Sequence, residues 1–101
     1  MAASLKKRPN RNIVGRRVRE ARKSHSPPLT QDQLSGKLAA EGVQLDRVAI
    51  AKIETGIRCV FDFEIRGLSN ALNVESRWLL EGEGPPSARK HVRSGVSKPG
   101  V

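Results

Sequence analysis

Between residues 13 and 80 the apolar side chains recur at three- and four-residue intervals, and each run is soon cut by a proline, a glycine or a capping residue. Every run is therefore a short helix with one apolar face. Isolated helices shorter than ~12–15 residues are marginal in water. Such runs persist only by burying their apolar faces against one another, so the chain is restricted to a small bundle of short helices. No run alternates convincingly enough to read as a strand. The 101 residues suit one small domain, and only Phe61, Phe63 and Trp78 are aromatic. A domain of this size gains from a partner subunit.

The first helix begins near Ile13, with Val14, Val18 and Ala21 on one face and Arg16, Arg19 and Lys23 on another. Ser24-His25-Ser26-Pro27-Pro28 ends it, because the residue before a proline avoids helical angles. Thr30 caps the second helix and Gln33 completes a capping box, with Leu34 and Leu38 as the buried stripe. Gly42 closes that helix. Val43-Gln44-Leu45 reads as a turn. Asp46 is expected to cap a third helix over 47–55, with Ile50 and Ile53 facing in and Gly56 at its end. Residues 57–61 form an apolar loop. Asp62 is expected to cap a fourth helix whose inner face is Ile65, Leu68, Ala71 and Leu72. A fifth helix covers 76–80, and Gly82 and Gly84-Pro85-Pro86 break it. The expected organisation is one all-α, five-helix domain over 12–82, between a disordered basic arm (1–11) and a disordered basic tail (83–101).

The formal net charge is +9. Most of it lies in the two ends: Lys6, Lys7, Arg8 and Arg11 in the first, and Arg89, Lys90, Arg93 and Lys98 against Glu83 in the second. A basic balance favours nucleic acid or anionic surfaces as partners. No apolar stretch approaches the ~20 residues of a membrane span, and no apolar segment follows the basic start as in a signal peptide. The single cysteine, Cys59, cannot form an internal disulfide, which suits a reducing compartment. A cytoplasmic, nucleoid-associated location is expected, without membrane association. His25 and His91 are isolated and no Cys/His cluster has metal spacing, so no metal or cofactor is expected. Asp62 and Glu64 read as helix-capping carboxylates rather than an acid/base pair. No glycine-rich phosphate loop follows a strand. Nothing here points to an enzyme.

A capped helix, a turn and a second short amphipathic helix ending in Glu-x-Gly form the layout of a helix-turn-helix, in which the second helix enters the major groove. Four stretches occur in order: Gly15-Arg16-Arg17-Val18-Arg19-Glu20-Ala21-Arg22; Leu29-Thr30-Gln31-Asp32-Gln33-Leu34; Ile50-Ala51-Lys52-Ile53-Glu54-Thr55-Gly56; and Leu68-Ser69-Asn70-Ala71-Leu72-Asn73-Val74 followed by Trp78-Leu79-Leu80. Over 12–82 the chain resembles the Cro/repressor-type (XRE-like) helix-turn-helix family. It departs from that pattern between Leu38 and Ile50, where helix two is longer or the turn wider, and in the extra residues of the 24–29 loop.

The resemblance implies a sequence-specific transcription regulator, a repressor above all, that binds double-stranded DNA as a homodimer. By position, Gln31 touches phosphate and steadies the recognition helix. Arg47, Val48, Ala51 and Lys52 face the groove. Arginine can grip guanine O6 and N7 together, and small apolar side chains can pack on a thymine methyl. Arg58 and the amides around Gly56 resemble a phosphate clamp, and Arg16 and Arg19 add backbone contacts. Arg22 and Glu54 form a structural pair joining helix one to helix three. Ile57, Val60 and Phe61 are candidate dimer contacts; Trp78 is read as core, with the dimer seam as its competing role. The alternative function is an antitoxin or protein-interaction adaptor on the same fold, favoured by the apolar loop.

Overall fold

The computed structural model of the chain describes residues 10–82 together with Pro85, Pro86 and Ala88. It contains five helices: α1 (Gly15–Ser24), α2 (Gln31–Ala40), α3 (Arg47–Glu54), α4 (Asp62–Leu72) and α5 (Ser76–Glu81). Among the described residues, β pairing is limited to one antiparallel bridge, Val74 with Ala88. The chain is thus all-α in its described part.

Local side chains set most helix ends. The Thr30 hydroxyl accepts from the Gln33 N–H at 3.0 Å, and the Gln33 amide oxygen accepts from the Thr30 N–H at 2.8 Å. This reciprocal box occupies two donors that the first turn of α2 would otherwise leave orphaned. At the other end Gly42 takes φ +83°, and the N–H groups of Gly42 and Val43 reach back to the Ala39 and Leu38 carbonyls. Asp46 caps α3 through the Ala49 N–H at 2.8 Å.

Asp62 does not cap α4; it is the first helical residue, and Phe61 holds the cap position in an extended conformation. Phe61 has no side-chain acceptor. The carboxylate of Glu64, three residues into the helix, folds back to accept the Phe61 N–H at 3.0 Å. Asp62 sits one residue too late for that bond, although its charge still favours the first turn. α1 likewise starts later than Ile13. Asn12 precedes it, and its side-chain oxygen accepts from the Val14 and Gly15 N–H groups at 3.0 and 2.7 Å.

α1 packs on α3 and α4, α2 packs on the same two helices, and α5 packs on α4. The interior is built from Val14, Val18, Leu34, Leu38, Ile50, Ile53, Leu68, Leu72 and Leu79. Fully burying one such side chain contributes ~1.5–3 kcal/mol, against at most ~0.7 kcal/mol of propensity difference per ordinary residue. Packing therefore decides where these short helices sit. Two core residues, Val43 and Leu45, come from the link 41–46 between α2 and α3, which the sequence presented only as a turn. The wide link is held in place because it supplies part of the core.

Trp78 is buried at 4% exposure, and a Cβ at Gly82 would overlap its ring. It belongs to the chain's own interior and offers no surface to a dimer partner. Val60 is also drawn inward, partly buried against the core. The expected arm 1–11 is too long by at least one residue, because the Arg11 N–H bonds the Gly56 carbonyl at 2.7 Å. Ala88, placed in the expected tail, pairs with Val74. The remainder of both expected termini, 1–9 and most of 83–101, lies outside the described residues.

Candidate nucleic-acid interface

α3 is held from behind. Ile50 and Ile53 are fully buried, which points the opposite stripe outward. That stripe holds Arg47, Val48, Ala51 and Lys52, at spacings of one, four and five residues. Arg47, Val48 and Lys52 are exposed and Ala51 is half-buried. Val48 is 55% exposed. Thr55 continues the stripe, its hydroxyl donating to the Ala51 carbonyl at 3.0 Å.

One carboxylate fixes the angle of this helix. Arg22 Nε and Nη2 donate to Glu54 Oε2 and Oε1 at 2.7 and 2.9 Å, and Arg22 Nη1 donates to the Leu29 carbonyl at 2.9 Å. Gln31 Nε2 donates to Glu54 Oε1 at 3.1 Å. The Glu54 side chain is only 3% exposed. The Glu54 bond, opposed by burial and aided by its charge, holds the Arg22 guanidinium above its ordinary pKa. Arg22 and Glu54, expected as a pair, thus join α1 to α3. Gln31 adds α2 to the same carboxylate, so its bond inside the molecule is a brace on α3.

The C-terminal end of α3 is fastened separately. Asn12 Nδ2 donates to the Ile53 carbonyl at 3.0 Å and to the Arg58 carbonyl at 2.9 Å. Gly15 lies so close to α3 that a Cβ there would overlap the Ile53 carbonyl oxygen. Gly56 turns the chain with φ +82°. Asn12 was not singled out in the sequence, though an asparagine three residues before a helix start is a recognisable turn signal.

Cationic side chains surround this rod. Arg19 and Lys23 of α1 line a concavity shared with Thr30, Asp32, Arg47 and Ala51. Arg16 lines a neighbouring one with Thr55 and Gly56. All three α1 cations are exposed. Lys23, which shares their helical face, completes the group although the sequence reading gave it no contact role. Arg17 differs: it donates to the Leu79 carbonyl at 3.2 Å and serves packing.

Arg58, expected as a phosphate clamp, is already engaged. It donates to both Glu64 oxygens at 3.0 and 3.2 Å and to the Cys59 carbonyl at 2.8 Å. The Glu64 bond keeps the Arg58 guanidinium above its ordinary pKa. Burial works to raise the Glu64 carboxyl, but the Arg58 bond, the Phe61 N–H and the Arg58 charge outweigh it and leave the carboxyl below its ordinary value. The Glu64 side chain is 6% exposed, so moving Arg58 to a phosphate would strand a buried charge.

Ile57, Phe61 and Phe63 stand on the surface, the two rings stacked with centroids 5.7 Å apart. Cys59 is exposed in the same loop. Among the described residues no helix is long and apolar enough to cross a membrane. Comparison with known proteins gives no significant match: no family model, no curated protein and no solved structure.

Proposed function

We propose that the chain binds double-stranded DNA sequence-specifically and regulates transcription as a repressor on the nucleoid, with α2 and α3 working as a helix-turn-helix. The observation that carries this reading is α3 itself: a rod of 8 residues, clamped from behind, whose outward stripe bears Arg47 and Lys52 and no acid. Such a rod is ~12 Å long and ~10–12 Å across, which suits a major groove about 12 Å wide. Arg47 reads guanine, Val48 and Ala51 pack on thymine methyls, and Lys52 takes a base or a phosphate. Arg16, Arg19 and Lys23 contact phosphates. Arg58 acts through Glu64 to hold the loop rather than as a clamp. Two chains, joined over Ile57, Phe61 and Phe63, would set their α3 helices about 34 Å apart on a two-fold site. The exposed Ile57, Phe61 and Phe63 also favour a second reading, an adaptor or antitoxin that docks another protein there.

The test is selection from a random duplex library at stated salt, followed by titration of the selected duplex. Affinity should fall steeply as salt rises, through counterion release. Arg47→Ala should cost about 1–3 kcal/mol and relax preference at one base pair. A mutant with wild-type sequence preference overturns the assignment of α3, and a chain that enriches no sequence leaves the adaptor reading.

A further inference from the structure

One carboxylate faces the cationic stripe of α3. Asp32, in the first turn of α2, places Oδ1 3.9 Å from Arg47 Nε, and the side chains are 75% and 64% exposed. Both line the concavity that Arg19 and Lys23 also line. The other acid there, Glu54, is already occupied by Arg22 and Gln31. An exposed pair at this separation adds little to stability. A negative charge on a surface meant for phosphates opposes binding to every duplex.

Resting on the DNA reading above, we propose that Asp32 is a positioning residue that sets specificity: it orients the Arg47 fork toward base edges and discourages its escape to phosphate. The geometry lies in which nitrogen it approaches. A guanidinium reads guanine with two of its donors, and Asp32 lies on the Nε side, which leaves the two terminal nitrogens free for guanine O6 and N7. In a complex with unmatched DNA, Arg47 would swing onto a phosphate. That movement leaves Asp32 unpaired beside the polyanion. The carboxylate therefore penalises the unmatched complex more than the matched one, which is specificity obtained by repulsion.

The experiment uses the full chain, a duplex it selects from a random library, and a mixed-sequence duplex of equal length. Asp32→Asn should bind the mixed duplex more tightly and gain less on the selected one, because the unpaired carboxylate burdens only the unmatched complex. Its preference for the selected duplex should fall roughly tenfold, at the base pair that Arg47 reads. Glu20→Gln, which removes an exposed α1 acid, should strengthen both complexes equally. In an Arg47→Ala background, Asp32→Asn should no longer change the preference. Equal gains on both duplexes from Asp32→Asn overturn this inference alone. A wild-type chain that selects no sequence overturns the DNA reading and this inference with it.

Discussion

Glu54 is a single carboxylate bonded by side chains from two other helices, Arg22 on α1 and Gln31 on α2. Removing one member of such a buried pair leaves the other charge stranded, so Arg22→Ala should cost about 3–5 kcal/mol in urea unfolding. Replacing both partners together, as Arg22→Met with Glu54→Leu, should cost much less, because no charge is left behind. A second carboxylate gives the chain an acid limit. Glu64 is held below its ordinary pKa, so its contribution is complete above the usual glutamate range near ~4.3 and is lost as pH falls through its lower folded value. Unfolding measured from neutral pH downward should show wild type weakening below that range. Glu64→Gln, less stable at neutral pH, should weaken less over the same interval; a parallel decline of the two would show that Glu64 is not responsible. The Arg22–Glu54 pair was legible through its place in a motif. The Arg58–Glu64 pair was not, since a loop residue and a carboxylate six positions on meet only after Phe61 turns the chain into α4.

At the scale of elements, the crossing of α1 over α3 depends on Gly15. Alanine favours a helix over glycine by ~0.8–1 kcal/mol. At this position the added methyl would meet the Ile53 carbonyl, part of the fixed backbone of α3. Overpacking of this kind costs ~1–3 kcal/mol, so the clash should win and Gly15→Ala should lower the melting temperature. A higher melting temperature would mean that α1 can slide away without loss. Helix existence was readable from the three-and-four spacing of apolar residues. Several boundaries were readable from chemistry too, as with Thr30, Gln33 and Asp46. The start of α4 was not, because the apolar Phe61 occupies a position where an oxygen-bearing side chain was expected.

For the whole molecule, Ile57, Phe61 and Phe63 form an exposed apolar patch that calls for a partner. Two of the chain's three aromatic residues are spent on this patch, at 57% and 55% exposure. If it is the seam of a two-fold dimer, Phe61→Ser should shift the protein toward monomer in sedimentation, and binding to a two-fold DNA site should weaken far more than binding to half of it. A variant that stays dimeric places the seam elsewhere. An unchanged monomer in both cases, with loss of a protein partner, favours the adaptor reading.

The order and inward faces of the five helices and the cap of α3 were written in local spacing, because a 3.6-residue period and a capping oxygen act over one or two turns. Which charges remain free was decided only by the tertiary structure. Arg22 could be matched to Glu54 through its motif, but Arg17, Arg58 and Arg47 read alike as free cations. Folding brings Leu79 and Glu64 to the first two and leaves Arg47 open to water beside Asp32. Contacts made only after the chain turns back on itself leave no periodic trace, and burial determines which charge must be paired and which can wait for a ligand.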